Sequence, residues 1–122
     1  MQSDDKTTVA EMKSKVKNIC TARDWDQYHN AKDLAIGITT ESAELLDIFR
    51  FKSAEEIDHM FNAPESREKI TDEMADVLFF LLRLAQKYDI DMSDAFYKKM
   101  AKNEQKYPVE KARGSNKKYD EL

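Results

Sequence analysis

Residues 66–88 read SREKITDEMADVLFFLLRLAQKY, and this stretch decides the fold. It has no glycine or proline and continues for more than six turns' worth of helix-forming residues, so it is predicted as one long helix from about Ser66 to Tyr88. Its centre, VLFFLL from Val77 to Leu82, is apolar on every side. Such a segment has to be covered on more than one face, and a chain of 122 residues has few layers with which to do so. Self-association through this helix is therefore expected, the alternative being a central helix within a monomeric bundle.

Working outward, Leu34 to Phe51 is predicted as a second long helix with Leu34, Ile38, Leu45 and Ile48 on one face. Val9, Met12, Val16 and Ile19 mark an earlier amphipathic helix that Thr7 or Thr8 can cap. Residues 23–32, RDWDQYHNAK, lose the helical period and read as a loop with aromatic side chains, with Asn30 as cap of the helix that follows. Ser53 and Glu56 form a capping-box pattern that opens a short helix to Phe61. Ser93 is expected to cap a last helix bearing Phe96, Met100, Asn103 and Tyr107, which Pro108 ends. The expected fold is all-α and four-helix-bundle-like, one domain over residues 1–122 with a polar, basic tail at 109–122.

Composition narrows the function. The charged fraction of 36% with only two glycines and two prolines disfavours a turn-rich β fold. A net charge of −4 argues against extended contact with nucleic-acid backbone, which depends on many cations. A small phosphorylated ligand stays possible. Cys20, the only cysteine, rules out an internal disulfide and a cysteine-based zinc cluster. The opening MQSDDKTT has neither a basic nor an apolar region, and no apolar run reaches membrane length, so a cytoplasmic protein is expected.

The acidic residues carry the chemistry. Glu41 and Glu44 form an ExxE pair, and Glu73 and Asp76 an ExxD pair, each on one face of its helix. Spacing alone is weak evidence, since solvated helix faces produce such pairs by chance. At about 100° per residue, however, Glu41 projects within roughly 20° of Leu34 and Ile48, inside the apolar stripe, and Glu73 falls between Val77 and Phe80. Carboxylates drawn out of water need a cation or a proton. An all-oxygen donor set suits Mg²⁺, with Mn²⁺ as substitute, better than zinc or copper. Neutralisation by Lys or Arg is the alternative. A di-iron site is disfavoured because neither motif ends in histidine. A metal held by carboxylates commonly binds polyphosphate, which makes hydrolysis at phosphorus the natural reaction class.

Four ordered blocks then carry a resemblance: RDWDQYHNAKDLAIGITTESAELLDIFRF at 23–51, DEMADVLFFLLRLA at 72–85, KMAKNEQKYP at 99–108 and KKYDEL at 117–122. They resemble the MazG-like nucleotide pyrophosphohydrolases, and within them the single-domain dCTP pyrophosphatase branch. The resemblance implies hydrolysis of a (deoxy)nucleoside triphosphate at the α-phosphorus, giving monophosphate and pyrophosphate, in the housekeeping of deoxynucleotide pools. It implies Mg²⁺ ligation by Glu41, Glu44, Glu73 and Asp76, with Glu44 as the choice for water activation. It places Trp25, Phe51 and Phe80 around the base, His29 on sugar or base, and Asn103 and Tyr107 at ligand-contact positions. Lys106, Lys117 and Lys118 would then offset phosphate charge. Phe51 and Phe80 replace a tryptophan and a tyrosine familiar in the dCTP branch, so the preferred base is left open. An obligate dimer, or a tetramer made from two dimers, is implied as well. The competing reading is a catalytically inactive helical module that binds nucleotide or a protein partner.

Overall fold

The computed structural model describes residues 1–122 and contains six α-helices, two short 3₁₀ turns and no strand. The helices are α1 (Val9–Ala22), α2 (Ala31–Phe49), α3 (Ala54–Met60), α4 (Pro64–Lys87), α5 (Met92–Lys106) and α6 (Val109–Ala112). No helix is long and apolar enough to cross a membrane. The chain divides into two compact units, Met1–Asp89 and Ile90–Leu122.

In the first unit the helix starts follow local chemistry. The side chain of Thr8 accepts a hydrogen bond from the Glu11 amide at 3.1 Å, and Asn30 Oδ1 accepts from the Asp33 amide at 2.8 Å. Ser53 and Glu56 make both bonds of the predicted capping box. Pro64 occupies the first turn of α4, where a missing N–H costs nothing, so the helix begins two residues before the predicted Ser66.

The 24-residue α4 is the spine of this unit, with α2 packed along it and α1 against its C-terminal half. Val16 and Cys20 of α1 meet Leu82 of α4 in a buried cluster flanked by Val9, Met12 and Phe79. Leu34 and Ile70 are fully buried as well. The α2 backbone comes close to α4 at Gly37, where a Cβ would stand 2.5–2.8 Å from the ring of Phe80. Any larger residue there has to push the ring or the helix away. Because Gly37 lies one turn before Glu41, this close approach also sets how near Glu41 comes to the acids of α4.

In the second unit, α5 begins one residue before the expected cap. Asp91, not Ser93, caps it, its carboxylate accepting from the Asp94 amide at 2.8 Å. Ser93 lies already inside the helix, and a carboxylate at the cap also complements the helix dipole. The tail is not featureless: Val109–Ala112 forms a helical turn and Tyr119–Glu121 a 3₁₀ turn.

Gly37→Ala is expected to lower stability by about 1–3 kcal/mol through overpacking against Phe80. Chemical denaturation should show part of that loss recovered in the double variant with Phe80→Leu. Independent, additive effects would rule out the Gly37–Phe80 contact as the cause.

Candidate metal centre

Glu41 from the middle of α2 and Glu73 and Asp76 from the middle of α4 converge so that a carboxylate oxygen from each lies within 4.8 Å of the others. The i, i+3 spacing on α4 puts Glu73 and Asp76 on one face, and the packing of α2 brings Glu41 to it. Glu41 and Glu73 are half-buried and Asp76 is exposed. Two oxygens, Glu41 Oε2 and Glu73 Oε2, are shut off from solvent and have no hydrogen-bond donor. Glu44 is exposed and stands outside the trio, although its carboxylate is the strongest influence on Glu41.

The electrostatics register this crowding. The pKa of Glu41 is pushed up from 4.5 to about 7, first by hydrogen bonding with Glu44, then by burial and by Glu73, with repulsion from Glu44 and Asp76 added. That of Glu73 is raised too, chiefly by burial. Three acids that lack a cationic partner and hold two stranded oxygens are what a hard divalent cation would relieve. Neutralisation by Lys or Arg, the alternative open from sequence, has no counterpart here. Ion pairs form at Arg50–Asp47, Arg83–Asp26 and Lys98–Asp94, none of which involves these acids.

The aromatic candidates are distributed unevenly over the first unit. Trp25, 38% exposed, sits at the start of the 3₁₀ turn Asp26–Tyr28, its ring centroid 6.0 Å from that of His29. Phe51 is 90% exposed and has a left-handed backbone, φ 66°, with the Arg50 guanidinium 4.6 Å from its ring centre. Phe80 is half-buried against Gly37 and edge-on to Phe79, so packing alone accounts for its position. In the second unit Asn103 is half-buried on α5, and Lys106 lies 4.7 Å from the ring centre of Tyr119, which also meets Tyr107 edge-on. Lys117 and Lys118 are exposed at the entry to the last 3₁₀ turn.

Sequence reasoning missed a second group, built on Arg83. This side chain is 1% exposed, pairs with Asp26 and Gln86, and donates from Nε to His29 Nδ1 at 3.1 Å. One turn later Lys87 donates to the backbone carbonyls of Asp26, at 2.9 Å, and His29. Its only sequence signal was a lone cation inside the apolar run LLRLA.

The class of protein is thus an all-α one whose central helix pair brings stranded carboxylates to one point, a candidate cation site. The chain belongs to the MazG-like family, whose pattern matches residues 36–122 and so spans Glu41, Glu44, Glu73 and Asp76. The loop bearing Trp25 and His29 precedes that span. Similar proteins include dCTP pyrophosphatase 1 of Mus musculus, 37% identical over 100 residues, and of Homo sapiens, 35% identical over 100 residues. In both cases the match covers 82% of this chain and 59% of the relative, so the chain spans less than two thirds of their length. A crystal structure of a pyrophosphatase from Archaeoglobus fulgidus is also similar, with 36% identity and a TM-score of 0.75, over 81% of this chain and 91% of that one.

Protonation links the site to stability. Glu41 holds its proton more tightly in the folded state than in the unfolded chain, so the cation-free fold loses stability as pH rises from 4.5 towards about 7. The penalty is complete above that range. In chelator, the melting temperature of Glu41→Gln should therefore fall less than that of the parent between about pH 5 and pH 8. Parallel curves would show that Glu41 does not carry the strain.

Proposed function

We propose that this chain is a magnesium-dependent nucleoside triphosphate pyrophosphohydrolase that releases pyrophosphate and a (deoxy)nucleoside monophosphate. The observation that carries the reading is the pair of solvent-excluded, donorless oxygens on Glu41 and Glu73, two members of a trio completed by Asp76. Membership of the MazG-like family and likeness to proteins named as pyrophosphatases support the same reaction class.

Glu41, Glu73 and Asp76 would hold the ion, with Glu44 beside Glu41 completing the acidic set. Mg²⁺, when bound, offsets negative charge on the phosphate oxygens and lowers the cost of attack at phosphorus. Glu44, exposed and outside the trio, is the carboxylate proposed to orient the attacking water and accept its proton. Trp25 and Phe51 supply exposed aromatic faces for a base, Phe80, packed against Gly37 of α2, is a further proposed base contact, and His29 offers a hydrogen bond to sugar or base. Asn103 and Tyr107 are proposed ligand contacts. Lys106, Lys117 and Lys118 are proposed to balance the charge of the β- and γ-phosphates, from the same or a neighbouring subunit. The role that fits is cytoplasmic removal of unwanted deoxynucleotides, in a single functional domain over residues 1–122.

The proposed assembly is a dimer or a dimer of dimers. Its support is the amount of apolar surface left on the two central helices: Ile36 is 50% exposed, Leu46 62%, Met74 54%, Leu78 41% and Leu81 38%.

Pyrophosphate release from a panel of ribo- and deoxynucleoside triphosphates with Mg²⁺ tests the reaction. Glu41→Gln and Asp76→Asn should each lower kcat by at least about a hundredfold, whereas Lys117→Ala should chiefly raise KM. No release from any triphosphate by the folded protein would favour the nucleotide-binding or interaction module instead. For the assembly, Leu81→Glu should yield monomers without activity in size-exclusion and turnover assays, and a fully active monomer would remove it.

A further inference from the structure

The group around Arg83 is not explained by the carboxylate site. Arg83 is the only buried charged residue, placed on α4 among Leu82, Leu84 and Ala85. A buried guanidinium is costly unless its donors are satisfied, and here two of its three nitrogens serve one loop: Asp26 accepts from one terminal nitrogen and His29 Nδ1 from Nε, while Gln86 of α4 accepts from the other terminal nitrogen. Lys87, one turn on, holds the backbone carbonyls of the same two loop residues. Two cations at i and i+4 of the spine helix thus grip the segment that carries Trp25.

The contact with His29 has a further chemical consequence. A guanidinium can only donate, so Nδ1 of His29 must present its lone pair, and the proton of the neutral ring sits on Nε2. Burial first, and then the positive charges of Arg83 and Lys87, lower the pKa of His29 below 6.5 and keep the ring neutral at pH 7. The Nε2–H makes no hydrogen bond within the chain, and the Trp25 ring is tilted against the imidazole with ring centroids 6.0 Å apart. An indole ring and an imidazole with a fixed, neutral N–H donor are neighbours on one held loop.

We propose that Arg83 is a positioning residue for nucleoside recognition, acting through His29 by fixing it as the Nε2–H tautomer next to Trp25. The ligand class is a nucleoside whose sugar or base turns a hydrogen-bond acceptor towards His29 while an aromatic face meets Trp25. The inference rests on the nucleotide reading of the protein, but its test does not require turnover. Arg83 touches no substrate. Its effect is to hold the donor and the ring in place before the ligand arrives, which removes an ordering cost from binding.

The test has two readouts. Imidazole nitrogen spectra at pH 7 are simple because the chain has only two histidines, and His59→Gln assigns them. Wild-type His29 is expected as the Nε2–H tautomer, and an Nδ1–H ring would overturn the proposal without any Arg83 variant. Binding of a panel of deoxynucleoside monophosphates is read from the fluorescence of Trp25, the single tryptophan. Arg83→Met should mix the tautomers and raise Kd about tenfold, and His29→Gln should raise it similarly. In the double variant Arg83→Met adds nothing to His29→Gln. Additive losses would mark Arg83 as merely structural, and absence of quenching by every monophosphate would overturn the pocket itself. Where Arg83→Met does not fold, Asp26→Asn loosens the same grip from the solvent side and is expected to weaken binding in the same direction. If monophosphates bind as described but no triphosphate is hydrolysed, the enzymatic reading fails and the role of Arg83 stands.

Discussion

Everything in the first unit depends on how closely α2 can lie against α4. Gly37 admits the Phe80 ring into the space a Cβ would fill, and one turn beyond it Glu41 is carried into the company of Glu73 and Asp76. Apolar packing does the holding, at Leu34 and Ile70 and in the cluster of Val16, Cys20 and Leu82. It holds together groups that repel one another. The raised pKa of Glu41 and its stranded oxygen measure that conflict, and a site in which packing forces like charges together is a common physical signature of function.

The same helix serves two purposes along its length. Its middle turns present Glu73 and Asp76, which make the acidic point, and its last turns present Arg83 and Lys87, which make a cationic clamp on the Trp25 loop. Asp76 and Arg83 are seven residues apart, two turns, and so project in nearly the same direction. A rigid helix of 24 residues therefore relates the acids to the aromatic loop without relying on loop conformation for precision. Arg83 also disposes of its own charge by pairing with Asp26, whose carboxyl it holds below the ordinary range.

The apolar residues on α2 and α4 that face solvent belong to the same economy of a small chain. A helix as apolar as Val77 to Leu82 needs cover on several faces, and a small domain has few layers to give it. Val77 and Phe79 are half-buried and Leu82 is buried, while Leu78 and Leu81 stay exposed, so one chain covers only part of that helix.

Local sequence determined the helices and most of their ends, because caps and periodicity act over a few residues: Thr8, Asn30 and the Ser53–Glu56 box lie where their chemistry demands. It also marked Glu41 and Glu73 as misplaced carboxylates, since the helical period alone puts them inside apolar stripes. Some ends were read wrongly: α2 stops at Phe49 rather than Phe51, α4 starts at Pro64 rather than Ser66, and Asp91, a charged acceptor two residues before Ser93, caps α5. Tertiary structure alone decided that Glu41 of α2 meets Glu73 and Asp76 of α4, and that the aromatic ring of Phe80 is committed to Gly37. It alone revealed the Arg83 clamp, for Arg83 and Asp26 are 57 positions apart and their pairing depends on a loop folding back on a helix. Spacing within one helix encodes a face, but which faces and loops come together is set by packing between segments distant in the chain.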